Sequence, residues 1–275
     1  MNADEIKNLQ DKCREIRYLT IEAIGAVGVG HLGGSMSIVE ALVVLYHRHM
    51  NVDPANPKME GRDRLVLSKG HAGPALYSVL ADKGFFDKEL LLTLNQPGTM
   101  LPSHADMNRT PGVDMTTGSL GQGFSCSVGV ALGSKLRKDG ATVYTIIGDG
   151  ESQEGLIWEA AMFAAHKKLE NLVAFTDLNK MQIDGAVKDV NDVEPLPEKW
   201  RAFGWNVYEV DGHDIEAVDS AISLAGHRNG KPTMIILDTV KGKDVTFLEE
   251  QWEYNHNIPI SAEQTAGALA ELKGE

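Results

Sequence analysis

The sequence predicts an α/β protein, a doubly wound, mostly parallel sheet with helices on both faces. Short runs of β-branched and other apolar residues alternate along the chain with longer segments whose apolar residues recur at helical spacing. Two short runs, Tyr144–Ile147 and Met234–Leu237, are apolar at almost every position, as a sheet covered on both faces requires. Loops rich in glycine and histidine follow such segments, and α/β sheets bind ligands beyond their strand ends.

The strand prediction covers six short segments. They are Arg64–Leu67, Val113–Thr117, Val143–Ile147, Leu172–Thr176, Val207–Val210 and Met234–Val240. Helical spacing predicts helices over Ile6–Ile24, Ser37–His49, Pro74–Lys83, Gly121–Lys138, Leu156–Lys168, Ile215–His227 and Ala262–Leu272. The stretch from Lys241 to Pro259 has weak periodicity, which predicts an extended functional loop.

Composition bounds the function. The chain has 275 residues, is 43% hydrophobic and carries a net charge of -13, which predicts one large domain over residues 1–275. That charge argues against nucleic acid or an anionic membrane as partner. No apolar run approaches the ~18 residues that span a bilayer, so we expect a cytoplasmic protein. Cys13 and Cys126 lie in predicted helices, and we expect both to be buried thiols.

One acidic and one amide side chain follow two neighbouring predicted strands. Asp149 lies between glycines in Gly148-Asp149-Gly150, and Asn179 follows the next strand. A carboxylate and an amide oxygen from adjacent strand ends can share one Mg²⁺, while glycine lets the backbone approach an anion. The alternative is a tight turn at Asp149 and a helix cap at Asn179.

This spacing resembles the fingerprint of thiamine diphosphate enzymes. The resemblance implies that Asp149 and Asn179 bind Mg²⁺ through their side chains and Met181 through its carbonyl. Ca²⁺ or Mn²⁺ can substitute for Mg²⁺ in such a site. It also implies that Gly148 and Gly150 lie against the diphosphate.

Four further segments resemble transketolase motifs in the order that this family uses, and the resemblance covers essentially the whole chain. They are Gly30–Gly34, Asp63–Ala72, Ser103-His104 and Thr116–Gly123. A lone histidine is more often structural than catalytic. Here, however, three of these segments each carry one histidine, at positions 31, 71 and 104, and the three stand in separate glycine-rich loops. Such groups can donate to sugar hydroxyls and move protons near neutral pH.

The transketolase resemblance implies roles for these residues. His31, His71 and His104 line the substrate channel, and His71 also lies near the diphosphate. Gly118 and Leu120 contact the aminopyrimidine and thiazolium rings. The sequence departs from the family pattern at Leu32, where proline is usual, and at Leu178, where a polar residue is usual; neither change removes a ligand.

His256 corresponds to a further family histidine that contacts cofactor and substrate. The alignment is weaker here, because Asn257 stands where the family has glycine, and the alternative is a surface histidine. Glu154 and Glu159 resemble a carboxylate network that links the two cofactor sites of a dimer. The alternative is that these acids only stabilise the start of a helix through its dipole.

Transketolases activate the cofactor with a glutamate from a separate pyrimidine domain, and no segment here resembles that domain. We therefore expect a partner chain, a C-terminal transketolase subunit with the pyrimidine domain, in a heterotetramer of two plus two chains. The resemblance implies two-carbon ketol transfer between sugar phosphates of the pentose phosphate pathway. The alternatives are the α subunit of a thiamine-dependent 2-oxo acid dehydrogenase, a deoxyxylulose phosphate synthase and a regulator that has lost the chemistry.

Overall fold

A parallel sheet forms the centre of the protein, in a computed structural model that describes residues 1–251 and 254–274. The strands of this part of the chain are β1 (Val29–Gly30), β2 (Arg64–Leu67), β3 (Val143–Gly148), β4 (Leu172–Leu178), β5 (Met181–Gln182), β6 (Gly185–Ala186), β7 (Asn206–Asp211), β8 (Thr233–Asp238) and β9 (Ile258–Pro259). Five of them pair side by side in the order β2-β3-β4-β8-β7, and every pairing is parallel. All the carboxyl ends therefore meet at one edge.

Helices cover both faces of this sheet. They are α1 (Ala3–Val27), α2 (Gly33–Met36), α3 (Val39–Val44), α4 (Gly73–Lys83), α5 (Gln122–Arg137), α6 (Gly155–His166), α7 (Val187–Asn191), α8 (Leu196–Ala202), α9 (Ile215–Ala225), α10 (Thr246–Glu250) and α11 (Ala262–Lys273). A π-helical turn, Leu45–His49, continues α3, and 3-10 turns occupy Gly70–Ala72, Lys88–Thr93 and Gly150–Gln153. None of the helices in the described residues is long and apolar enough to cross a membrane.

The two-residue period of the strands divides the core in two. In β8, Ile235 and Leu237 pack into the cluster beneath α1, α3, α4 and α9, whereas Met234 and Ile236 pack into the cluster beneath α5, α6 and α8. Both sets are buried, so the strand is apolar at consecutive positions. The predicted doubly wound α/β class is confirmed.

Two local predictions were wrong. Residues 113–117 form no strand; Thr117 instead bonds the Leu67 carbonyl, at the end of β2, through its hydroxyl at 2.7 Å. Cys13 is buried, but Cys126 lies on the exposed face of α5. The stretch from Lys241 to Pro259 contains α10 and β9, which pairs with β1; Trp252 and Glu253 lie outside the described residues.

A buried ion pair joins the first helix to the third. Arg17 and Glu40 are 1% and 5% exposed, and Nη2 of Arg17 donates to both carboxylate oxygens at 2.7 and 2.9 Å. Nη1 of Arg17 also lies 3.1 Å from Asp244. His213 contacts Glu40 at 3.1 Å through Nδ1. Removing one partner of such a pair leaves the other charge buried and uncompensated.

We expect Arg17→Met to lower the free energy of unfolding by about 3–5 kcal/mol, because Glu40 loses its cation. The double variant Arg17→Met/Glu40→Leu is expected to recover much of this loss, since no charge is then stranded. Urea unfolding of the three proteins measures both effects. Arg14→Met, on the exposed face of the same helix, is the control. A double variant as unstable as Arg17→Met would contradict the prediction.

Candidate functional site

A cavity of about 340 Å³ lies at the carboxyl edge of the sheet. The described residues that line it include nearly every site residue predicted from the sequence. They are His31, His71, His104, Gly118, Leu120, Gly148, Asp149, Gly150, Glu154, Asn179, Met181 and His256. The cavity is within the size range of small-molecule sites.

The ends of β3 and β4 place the predicted metal ligands. Asp149 is 2% exposed, and its Oδ1 and Oδ2 accept the backbone N–H groups of Gly150 at 2.7 Å and Lys180 at 2.5 Å. Asn179 is 9% exposed, and its Oδ1 accepts the N–H of Met181 at 3.1 Å. Burial and the neighbouring Asp177 raise the pKa of Asp149 to about 7. A divalent cation would stabilise the charged carboxylate and lower that pKa.

The buried carboxylate of Asp177 holds these groups in place through hydrogen bonds. Its Oδ2 accepts hydrogen bonds from Lys69 Nζ at 2.6 Å, Asn179 Nδ2 at 2.6 Å and the Ser37 hydroxyl at 2.8 Å. Its Oδ1 accepts the Thr239 hydroxyl at 2.5 Å. Burial raises the pKa of Asp177, but the charge and hydrogen bond of Lys69 outweigh it and hold the pKa below its ordinary value. The bond to Asn179 Nδ2 also fixes which way that amide faces.

Four histidines form one cluster in the cavity wall. The ring of His31 lies 5.3 Å from those of His71 and His104 and 5.4 Å from that of His256, between centroids. The rings of His71 and His256 are 4.7 Å apart. His256 is therefore a cavity residue and not a surface histidine.

The cavity keeps these imidazoles neutral. Burial, repulsion from His104 when that ring is protonated, and the charge of Lys241 together lower the pKa of His31 to about 4. Burial and Lys241 lower the pKa of His256 to about 3. The pKa of His71 is lowered well below its ordinary value by burial and by Lys69, and partial burial lowers that of His104. At neutral pH each ring is therefore neutral, with one nitrogen that can accept a hydrogen bond.

Two buried lysines of the cavity had no predicted role. Lys69 and Lys241 are 1% and 3% exposed and line the cavity. Nζ of Lys241 lies 3.4 Å from Nδ1 of His256, and burial together with Lys69 lowers the pKa of Lys241 to about 8. Lys69 could have been identified from its place beside His71 in the motif Ser68–His71. Lys241 could have been identified as the first residue of the stretch to Pro259, which was predicted to be a functional loop.

Glu151 was also missed, and it connects three loops. It is 2% exposed, and its Oε1 accepts the Ser68 hydroxyl at 2.5 Å and the Gly121 N–H at 2.8 Å, while Oε2 accepts the Gly148 N–H at 3.1 Å. Its pKa is raised by burial, which outweighs these hydrogen bonds. The carboxylate thereby joins the loops that carry His71, Leu120 and Asp149.

The two predicted network carboxylates differ in position. Glu154 is exposed and lines the cavity, whereas Glu159 lies on the outer side of α6 and is not among the described lining residues. The network that would link two sites stays a prediction.

The donor set fits thiamine diphosphate with a hard cation. Asp149 and Asn179 offer oxygen ligands, and Lys69 and Lys241 offer positive charge for a diphosphate. Gly34 and Gly118 leave room, since a Cβ there would lie 3.3 Å from His71 and 3.5 Å from His104. Among the described residues no three His, Cys, Asp or Glu side chains form a metal site by themselves. Diphosphate oxygens would complete the coordination of a cation held by Asp149 and Asn179.

We expect the stability that the buried histidines contribute to the isolated chain to be lost as the pH falls below about 6.5. The folded-state pKa values of His31 and His256, about 4 and 3, lie below the ordinary value of 6.5. The unfolded chain therefore binds more protons in this window, and the contribution is complete only above pH 6.5. His256→Gln should make the decline shallower in urea unfolding between pH 7 and 4, with exposed His227→Gln as control. Equal slopes in the wild type and His256→Gln would refute it.

The comparisons with known proteins agree with this geometry. Residues 9–272 match the family described as "Transketolase, thiamine diphosphate binding domain". The chain is 58% identical over 268 residues to a 6-deoxy-6-sulfo-D-fructose transketolase subunit from Clostridium sp. (strain MSTE9), covering 98% of this chain and 97% of that one. It is 38% identical to one of the subunits of apulose-4-phosphate transketolase from Phocaeicola vulgatus, covering 98% and 95%.

A solved transketolase from Campylobacter jejuni shares the fold, with a TM-score of 0.89 and 31% identity. The match covers 99% of this chain but 43% of that one, so the chain spans less than half of the solved enzyme. The family match along nearly the whole chain, together with the cavity described above, shows that this chain belongs to the transketolase family, as its thiamine diphosphate-binding part.

Proposed function

We propose that this chain is the N-terminal, cofactor-binding subunit of a two-chain transketolase that uses a sulfonated ketose. Ketol transfer is supported by the convergence of two predicted metal ligands, two buried lysines and four histidines on one cavity. The substrate class comes from the relative named a 6-deoxy-6-sulfo-D-fructose transketolase subunit, which is 58% identical.

The buried charges of the cavity suit the cofactor's diphosphate. Asp149 and Asn179 would hold Mg²⁺, and Lys69 and Lys241 would add positive charge beside it. Bound thiamine diphosphate supplies the carbanion chemistry that breaks and forms the carbon–carbon bond next to a ketose carbonyl. Water exclusion strengthens these interactions, because Asp149 and both lysines are almost fully buried.

The histidines would accept and return protons during the reaction. Because burial keeps their rings neutral, a ring nitrogen of His31 or His104 can accept the proton of a sugar hydroxyl as the donor is cleaved, and return it to the product. His104 is exposed at the mouth of the cavity, which suits contact with substrate. His71 and His256 lie deeper, next to the lysines.

A partner chain would complete the site. Relatives that match over nearly their whole length are named as subunits, and the solved enzyme is more than twice as long. One exposed apolar side chain lines the cavity, that of Ile183, which is 69% exposed, and Met162 and Phe163 are 57% and 42% exposed on α6. Such side chains favour a protein interface. We propose a C-terminal subunit with the pyrimidine domain, in a heterotetramer of two plus two chains.

The sulfonate would be recognised mainly by the partner. Lys69 and Lys241 are the lysines among the described lining residues, and both lie at the metal end of the cavity. With a net charge of -13, this chain has no excess of cations for a second anion. The name of the 58% identical relative favours a sulfosugar pathway over the predicted pentose phosphate pathway; the cytoplasmic location stays a prediction.

The other candidate functions have less support. The 2-oxo acid dehydrogenase and deoxyxylulose phosphate synthase alternatives lack support from the family match, which is to transketolase. A regulator without chemistry would not need Asp149, Asn179 and four clustered histidines intact.

We expect the isolated chain to show no ketol transfer and to gain it when its partner chain is added. The physical reason is that no segment of this sequence resembles the pyrimidine domain that carries the activating glutamate in transketolases. The measurement is aldose release from 6-deoxy-6-sulfofructose and, in parallel, from fructose 6-phosphate, each with an acceptor aldose that takes up the two-carbon unit, at rising partner concentration. Preference for the phosphate would overturn the substrate proposal alone. Full turnover without a partner would overturn the two-chain proposal.

We expect Asp149→Ala to weaken Mg²⁺-dependent binding of thiamine diphosphate by more than about 100-fold in the reconstituted complex, because a metal ligand is lost. Calorimetric titration with Mg²⁺, and with a chelator instead, measures the effect. Asp238→Ala is the matched control, since this carboxylate also ends a strand but is largely exposed. Unchanged affinity in Asp149→Ala would show that the metal is held elsewhere.

A further inference from the structure

Three segments that carry cavity residues meet at one buried side chain, Asn255. This residue is fully buried, and its Nδ2 donates to the backbone carbonyls of Lys241 at 3.0 Å and Leu248 at 2.8 Å. Its backbone carbonyl accepts the N–H of Gly33 at 3.0 Å. The N–H of Gly242 then bonds the Gly33 carbonyl at 3.1 Å. These four hydrogen bonds join chain segments that are far apart in sequence.

Glycine is required on two sides of this junction. A Cβ on Gly33 would lie 2.2 Å from Oδ1 of Asn255, and a Cβ on Gly242 would lie 2.9 Å from Nδ2 and 2.6 Å from Leu248. Gly242 also has a φ of +94°, a conformation that side chains disfavour. Both backbones therefore pack directly against the Asn255 amide.

Each segment of the junction presents a cavity group within two residues. His31 precedes Gly33, Lys241 precedes Gly242, and His256 follows Asn255. All three groups line the cavity. Nζ of Lys241 and Nδ1 of His256 are 3.4 Å apart, and the rings of His31 and His256 are 5.4 Å apart. A shift of the junction would change these separations together.

We propose that Asn255 is a positioning residue, which fixes His31, Lys241 and His256 as one unit in the wall of the cavity. It touches no reacting atom and acts through the three segments that it joins. The proposal deepens the proposed function and rests on it for the effect on turnover. Displacing aligned groups by about 1 Å can cost about 100-fold in rate.

Asn171 offers a matched control within the same chain. It is 4% exposed, its Nδ2 donates to two backbone carbonyls, of Ala131 at 3.0 Å and Ala141 at 3.5 Å, and it is not among the described residues that line the cavity. In both asparagines Oδ1 has no hydrogen-bond partner in the part of the chain that the structure describes. The two side chains are thus alike in burial and bonding but differ in what they hold.

The test compares Asn255→Asp and Asn255→Ala with Asn171→Asp and Asn171→Ala, each in complex with the partner chain. Asp places an oxygen against two carbonyl oxygens, whereas Ala only removes the donor. We expect both Asn255 variants to lower kcat/KM for the ketose donor by about 10- to 100-fold. The Asn171 variants should lose comparable thermal stability and keep kcat/KM within about twofold of wild type.

Amide hydrogen exchange gives a readout that does not depend on activity. In the Asn255 variants the amides of Gly33 and Gly242 should lose protection, and in the Asn171 variants they should not. Unchanged protection at both glycines, or equal loss of kcat/KM in the two series, would overturn the proposal. If the wild-type complex transfers no ketol unit, the proposed function fails, and the exchange comparison alone decides the role of Asn255.

Discussion

The buried carboxylate of Asp177 is the interaction on which the rest of the site depends. It lies near the end of β4 with no solvent exposure and collects donors from four other points of the chain, Lys69, Ser37, Asn179 and Thr239. A charge at this depth is tolerated only when it is paired and fully hydrogen-bonded. The same bonds set the positions of a cavity lysine and of a predicted metal ligand, so stability and site geometry share one cause.

The site concentrates cationic and proton-accepting groups on a chain with a net charge of -13. Burial disfavours every charge at this site, because it lowers the pKa of Lys241 and of the four histidines and raises that of Asp149. A bound cation would stabilise the Asp149 carboxylate, and a bound diphosphate would stabilise the ammonium group of Lys241. The cavity and the proposed cofactor are in this sense complementary, since each supplies the opposite charge that the other needs.

Local pattern was a good guide to the fold and a partial guide to the site. Strands such as Val143–Gly148 were recognisable because helices cover both faces and nearly every position is apolar. Residues 113–117 form a loop instead, and Thr117 bonds the end of β2 through its side chain and not through a ladder. Cys126 shows the same limit, since a helical position alone does not say which face meets the core.

The sequence by itself determined the α/β class, the order of the elements and the chemistry of the loops, because these depend on neighbouring residues and on motif spacing. Tertiary structure decided which loops meet. Lys69 pairs with Asp177, and Asn255 bonds Gly33, across long stretches of the chain. The histidines are neutral because residues from several loops bury them together. Such contacts follow from the packing of strands and loops and from depth of burial, which no local pattern encodes.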